Sequence, residues 1–161
     1  FAGGTNFVVL AVLTLFLGGN SNARQIVVSL FIIIWALRLS TFLLFRILKT
    51  GKDDRFDDKR DKFFPFLGFW VFQMLWVWVL SFPVTILNSP NINQYPQPSF
   101  GNGGDVAGVL LYVFGLTIES ISDTIKYRFR SKNLDKSAFC TTGPFAWSRH
   151  PNYFGEILIQ F

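Results

Sequence analysis

From Phe63 to Leu87 the chain runs for 25 residues without one charged side chain. About 20 such residues are enough to cross the ~30 Å hydrocarbon layer of a bilayer as a helix. Lipid offers no partner to a bare N–H or C=O, so a run of this kind has to close its hydrogen bonds within itself. The stretch is also bulky, with six Phe and three Trp. The rest of the charge is distributed to match. Of 25 charged residues, eleven fall within the 14 positions from Lys49 to Lys62, leaving 14 for the other 147 residues. A soluble domain is near a quarter charged, whereas this chain is 16% charged and 50% hydrophobic. Disordered and collagen-like chains are excluded, and a multi-span membrane protein is the class that remains.

The expected fold is all-α, a polytopic transmembrane helix bundle of about four spans plus the start of a further one, truncated at both ends. The spans fall at about 5–19, 25–48, 63–87, 105–127 and from about 151 onward, within a single membrane domain over 1–161. The first apolar run, Thr5 to Leu17, is about 13 residues and short for a crossing. Pro65 suits a first helical turn, and Pro83 is placed to kink or end the third span. Asp105 is a candidate N-cap for the fourth. Residues 88–104 carry no charge but four Asn, three Pro and three Gly, the composition of a turn-rich loop. Segments 49–62 and 126–149 carry six Lys/Arg each, against none in 88–104 and only Arg24 in 18–24. Two spans separate the basic segments, so the positive-inside rule puts both on the cytoplasmic side, with cytoplasmic loops at 49–62 and 128–149.

Several chemistries drop out on composition. One Cys (Cys140) and one His (His150) make neither an internal disulfide nor a Cys/His zinc site, so no metal is expected. The net charge of +5 belongs to short loops between apolar runs, where topology already accounts for it, so no nucleic-acid partner is expected either. The expected partners are the lipid bilayer and a hydrophobic, lipid-like substrate.

Polar residues inside apolar runs are the candidates for function. At ~100° per residue, Asp123 lies about 40° from Glu119, Lys126 about −20° and Arg130 about 20°. Two carboxylates and two cations thus share one helix face at the end of a span. A salt-bridged helix end accounts for the cations; carboxylates within a span face a polar cavity or a partner. Arg38 sits near the middle of the second span. It needs a carboxylate on a neighbouring span (Glu119, Asp123 or Glu156) or a place in a polar cavity. The third constellation is Gly143-Pro-Phe-Ala-Trp-Ser-Arg-His-Pro-Asn-Tyr-Phe-Gly-Glu156. Arg149, His150, Asn152, Tyr153 and Glu156 crowd together at the mouth of an apolar segment, and Arg beside His beside an amide is a grip for phosphate and ribose. Pro151 sets the local turn. The alternating charges of 49–62 read as a solvated, self-paired surface.

The stretch Gly143 to Glu156 resembles the C-terminal signature of the steroid 5-alpha-reductase-like integral membrane family, closest to its largely uncharacterised branch. Trp35-Ala-Leu-Arg-Leu-Ser40, Lys52-Asp-Asp-Arg-Phe56 and Glu119-x-x-x-Asp123-x-x-Lys126 are similar to further blocks of that branch, in the same order. The resemblance implies an integral membrane oxidoreductase that uses NADPH to reduce a double bond in a lipid-like substrate. It also implies a multi-pass location, in the endoplasmic reticulum if the source is eukaryotic. By the same resemblance Asp123, Arg130, Arg149, His150, Asn152 and Tyr153 would hold NADPH. Glu119, on the helix face of Asp123, and Glu156, on the first turn of the next helix, are expected to join them as cofactor-binding residues. Trp35 and Arg38 would belong to a substrate site or polar cavity.

The departures limit what carries over. Steroid reductases have a tyrosine shortly before the arginine of the second block and a glutamate on an earlier helix. Here the position offers Trp35, whose indole donates a hydrogen bond but is no acid, and no Asp or Glu precedes Asp53. Neither steroid specificity nor a catalytic acid is therefore assigned. The Gly-Pro-aromatic and Arg-His-Pro-x-Tyr-x-Gly elements are shared with isoprenylcysteine and phospholipid methyltransferases. That keeps an S-adenosylmethionine-dependent methyltransferase as an alternative, alongside a non-enzymatic membrane protein that has kept the fold.

Overall fold

Every regular element among the described residues is helical. The computed structural model describes residues 2–19, 22–50, 63–132 and 138–160. Most of the charged loop, with the Lys52-to-Phe56 block, lies outside them. The described residues form five α-helices, in order α1 (Ala2–Leu17), α2 (Ala23–Thr50), α3 (Phe63–Leu87), α4 (Gly103–Lys132) and α5 (Pro151–Gln160). Short 3-10 turns lie at Pro90–Gln94 and Gly143–Ala146. Three helices are long and apolar enough to cross a membrane: Ala23–Lys49, Phe63–Leu87 and Gly103–Lys132. The shorter α1 contributes the apolar stretch Gly4–Leu17. Together they make the helical membrane bundle expected from the charge pattern.

The bounds of α3 are the expected ones, and those of α4 differ at both ends. Pro83 lies inside α3, which continues to Leu87. A proline removes one hydrogen bond and does not have to end a helix whose flanks remain paired. At the start of α4, the backbone N–H of Asp105 donates to Asn102 Oδ1 at 3.0 Å, while Asp105 Oδ2 accepts from the N–H groups of Gly101 and Asn102 at 2.9 and 3.3 Å. Asn102 is therefore the cap and Asp105 its reciprocal partner three residues on, a capping box that starts the helix earlier than expected. The far end of α4 extends into the expected loop, to Lys132, because residues 128–132 contain neither Pro nor Gly.

The chain divides into two compact units, Phe1–Pro98 and Ser99–Phe161. In the first, α1 packs against both α2 and α3. Lipid tails are as apolar as Leu, so close packing and polar contacts between helices, more than hydrophobic burial, hold such an assembly together. The interior shows this. Its buried residues include Ala11, Ala36, Ser29, Ser40 and Ser81, while large side chains point outward, with Phe64 at 81% and Phe72 at 77% exposure. A Cβ on Gly4 would strike the Ser40 side chain, and one on Gly18 the Asn88 carbonyl. Phe7 is the aromatic centre, edge-on to Trp35 (5.2 Å) and to Trp76 (5.7 Å).

One end of this unit is joined by buried polar groups. Asn88 Nδ2 donates to Thr14 Oγ1 and to Ser29 Oγ, each at 3.1 Å, which ties α1, α2 and the end of α3 together. Gln25 Nε2 donates to the Leu87 carbonyl at 2.7 Å, and Gln25 Oε1 accepts from the Asn22 N–H at 2.9 Å. These bonds also satisfy backbone groups left over at the helix ends.

The second unit is the antiparallel pair α4 and α5, with the Gly143–Ala146 turn beside α4. A Cβ on Gly115 would lie 2.7 Å from the Gly155 carbonyl oxygen, and one on Gly155 2.6 Å from the Gly115 carbonyl oxygen and 2.8 Å from the Glu119 nitrogen. The two backbones touch directly, which only glycine at both positions permits.

Candidate functional site

Around that glycine contact the structure buries polar chemistry. The face of α4 turned inward is Tyr112, Gly115, Glu119 and Ser122, a stripe with alternating spacings of three and four residues. Glu119 is 4% exposed and Ser122 is fully enclosed. On α5 the buried positions are Pro151 and Gly155. Gly155 sits beside Glu119. In an antiparallel pair, three residues forward on α4 and three back on α5 cover the same ~4.5 Å of rise, so Ser122 and Asn152 stand at one level. The hydroxyl of Ser122 and Asn152 Oδ1 are both buried, and neither has a hydrogen-bond partner among the described residues. Buried polar atoms in native proteins are nearly always paired, so two orphans at one level mark a position where a further polar group is wanted.

The four-residue face expected on α4 is divided by its surroundings. Glu119 is buried and Asp123 half-buried, whereas Lys126 and Arg130 are exposed. The physical reason is where α5 starts. Its first residue, Pro151, lies near the level of Ser122, so positions further along α4 have no facing helix. Arg130 places its guanidinium 5.9 Å from the Phe129 ring.

The signature segment folds as a hydrogen-bonded turn leading into α5. Gly143 takes φ +61°, a region open to glycine and strained for other residues. Its α-carbon also faces Ile125: a Cβ there would lie 2.8 Å from Ile125 Cδ1. The His150 N–H donates to Ser148 Oγ at 3.2 Å, and the His150 ring stacks on Tyr153 at 5.2 Å with 13° between planes. Arg149, His150 and Tyr153 are exposed, and Glu156 is half-buried. Glu119, Asp123, Arg130, Arg149, His150, Asn152, Tyr153 and Glu156 thus all lie in the second unit, with Glu119 and Asn152 at its glycine-packed centre and the others at its edge or end. Ser122 belongs with them and was not legible in the sequence, because serine is an ordinary packing residue in membrane helices.

Trp35 and Arg38 lie in the first unit. Trp35 is 1% exposed, its ring against Phe7, and its Nε1 has no acceptor among the described residues. Arg38 is half-buried. A groove of about 440 Å³ runs along α3, lined by Pro65, Gly68, Phe69, Phe72, Gln73 and Trp76, with neither Trp35 nor Arg38 in its wall. Its side chains are largely apolar, with the Gln73 amide and the Trp76 indole N–H as the polar groups. No group of three or more metal-ligating side chains is found among the described residues.

No match to this chain was found among curated proteins or among solved structures. A family model does match, over residues 1–161, and its description is a protein of unknown function, DUF1295. A match over the whole sequence assigns the chain plainly: it belongs to the DUF1295 family.

Proposed function

We propose that this chain is an integral membrane reductase of the steroid reductase-like superfamily, using NADPH to reduce a double bond in a lipid-like substrate. The observation that carries the reading is the convergence on α4 and α5 of the residues that the signature resemblance implicates, around buried polar atoms that lack partners. The residues present fit the cofactor. Arg130 and Arg149 are exposed cations suited to phosphate, and guanidinium forks grip phosphate oxygens in pairs. Asn152 and Ser122 offer a buried acceptor and a hydroxyl to amide or sugar groups. The stacked His150 and Tyr153 rings present a flat surface beside them. When bound, NADPH supplies a hydride to a polarised double bond. The chain's own part is to bind and orient: Glu119 and Asp123 set a polar wall in an apolar helix pair, and the bilayer around it excludes water. The lipid-facing helices and basic loops suit the endoplasmic reticulum membrane.

The test is ligand-induced thermal stabilisation of the full-length protein in nanodiscs. NADPH is expected to raise the unfolding temperature, and Arg149→Ala and Asn152→Ala to abolish that rise. Stabilisation by S-adenosylmethionine with none by NADPH would overturn the proposal in favour of a methyltransferase.

A further inference from the structure

The connector before α5 presents two large aromatic side chains that the proposed chemistry does not use. Trp147 is 91% exposed and Phe139 86% exposed. The turn beneath Trp147 is held by its own backbone bonds. The Phe145 N–H donates to the Thr142 carbonyl, and the N–H groups of Trp147 and Ser148 both donate to the Pro144 carbonyl. The turn therefore aims the Trp147 indole outward by construction.

The depth of this turn follows from its register on α4. About 20 helical residues span the hydrocarbon layer. Counted from Val106, the first apolar residue after the capping box, they reach Ile125, and the next residue is Lys126. Gly143 is packed against Ile125, and Gly155 lies beside Glu119. Residues 143–150 are thereby held within a few ångströms of the level where hydrocarbon gives way to headgroups. Cys140, three residues earlier, is within ~10 Å of it by chain length. The same end of the unit carries the exposed cations Lys126, Arg128 and Lys132, which complement phosphate headgroups. Trp is the side chain that favours this zone, apolar over most of its ring with one N–H to offer the wet side.

We propose that the 139–150 connector is a membrane-interface anchor, with Trp147 and Phe139 seated among the phospholipid headgroups at the basic end of α4. The anchor fixes the height of the α5 N-terminus, and with it Asn152, relative to the bilayer. It does not depend on the chemistry of the site, so it stands or falls separately from the reductase reading.

Cys140 is the sole cysteine of these 161 residues, and it provides the probe. Labelled there with NBD and reconstituted in phosphatidylcholine nanodiscs, the protein is expected to show strongest quenching by lipids carrying a headgroup nitroxide. Weaker quenching is expected from mid-chain nitroxide lipids, and several-fold weaker iodide quenching than for the free dye. The difference in emission between unlabelled protein and its Trp147→Phe variant should be quenched by lipids brominated near the ester carbonyls, which tests Trp147 without a label. Iodide quenching equal to that of the free dye would place the segment in water. Protection from both iodide and nitroxide lipids would place it under protein. Either result overturns the proposal.

Discussion

Replacing Gly155 by alanine sets two physical effects against each other, and the structure decides the sign. Alanine is the better helix former by about 1 kcal/mol, so an exposed glycine in a helix should gain from the change. At Gly155 the added Cβ would lie 2.6 Å from the Gly115 carbonyl oxygen and 2.8 Å from the Glu119 nitrogen, where ordinary contact begins at 3.4 Å, so α4 and α5 must part by about 0.8 Å. All of the nearest atoms lie on or next to the backbone, and none is the tip of a movable side chain. Overpacking of this kind costs about 1–3 kcal/mol, which exceeds the propensity gain at most of its range and leaves a net loss of about 1 kcal/mol. Gly108, on the same helix α4, has open space where a Cβ would go. Gly108→Ala is therefore expected to stabilise by up to about 1 kcal/mol. With roughly 2–4 °C of unfolding temperature per kcal/mol for a chain of this size, the two variants should separate by about 6 °C on opposite sides of the parent. The assay is fluorescence-monitored thermal unfolding in one detergent at one protein concentration. Gly115→Ala should behave like Gly155→Ala, and the double variant should lose less than the sum, since the first opens the gap for the second. A rise in unfolding temperature for Gly155→Ala equal to that of Gly108→Ala would refute the direct backbone contact.

Three further outcomes follow from particular contacts. Asn88→Leu removes the bonds to Thr14 and Ser29. At about 0.6 kcal/mol for each such contact between membrane helices, it should lower the unfolding temperature by a few degrees, with Gly108→Ala as the reference. Asn102→Ala removes the cap of α4 and should cost about 1 kcal/mol, with faster amide exchange at Gly104 and Asp105 than in the parent. Ser122→Ala removes a buried hydroxyl that has no partner among the described residues, so the ligand-free protein should be as stable as the parent or more so. The stabilisation by NADPH should fall, and a full NADPH response in this variant would remove Ser122 from the site.

Much of the architecture was legible before any coordinates. The uncharged run from Phe63 to Leu87 became α3 with those same bounds, because a segment of that length and composition has only helical ways to satisfy its backbone in lipid. The apolar runs on either side became α2 and α4, extended where charged residues still favour a helix. Charge spacing placed Glu119 and Asp123 on one face, since that depends only on the helical period. The capping box was misread by three positions at Asp105, because Asn102 and Asp105 are both good caps and the choice lies in the turn through Gly101.

What the sequence could not decide was which of the polar residues are buried, because burial depends on where a second helix begins. The start of α5 opposite Ser122 encloses Glu119 and leaves Lys126 and Arg130 exposed on the same face. Periodicity cannot see that boundary. Nor could it show that Gly115 and Gly155 meet, that Ser122 stands level with Asn152, or that Asn88 joins three helices. Each is a relation between residues distant in the chain, set by the closest approach that the facing side chains allow. The sequence by itself determined that this is a membrane helix bundle with its few polar residues held in or beside apolar spans. The tertiary packing alone decided which of them are buried, because burial depends on the helix that faces them.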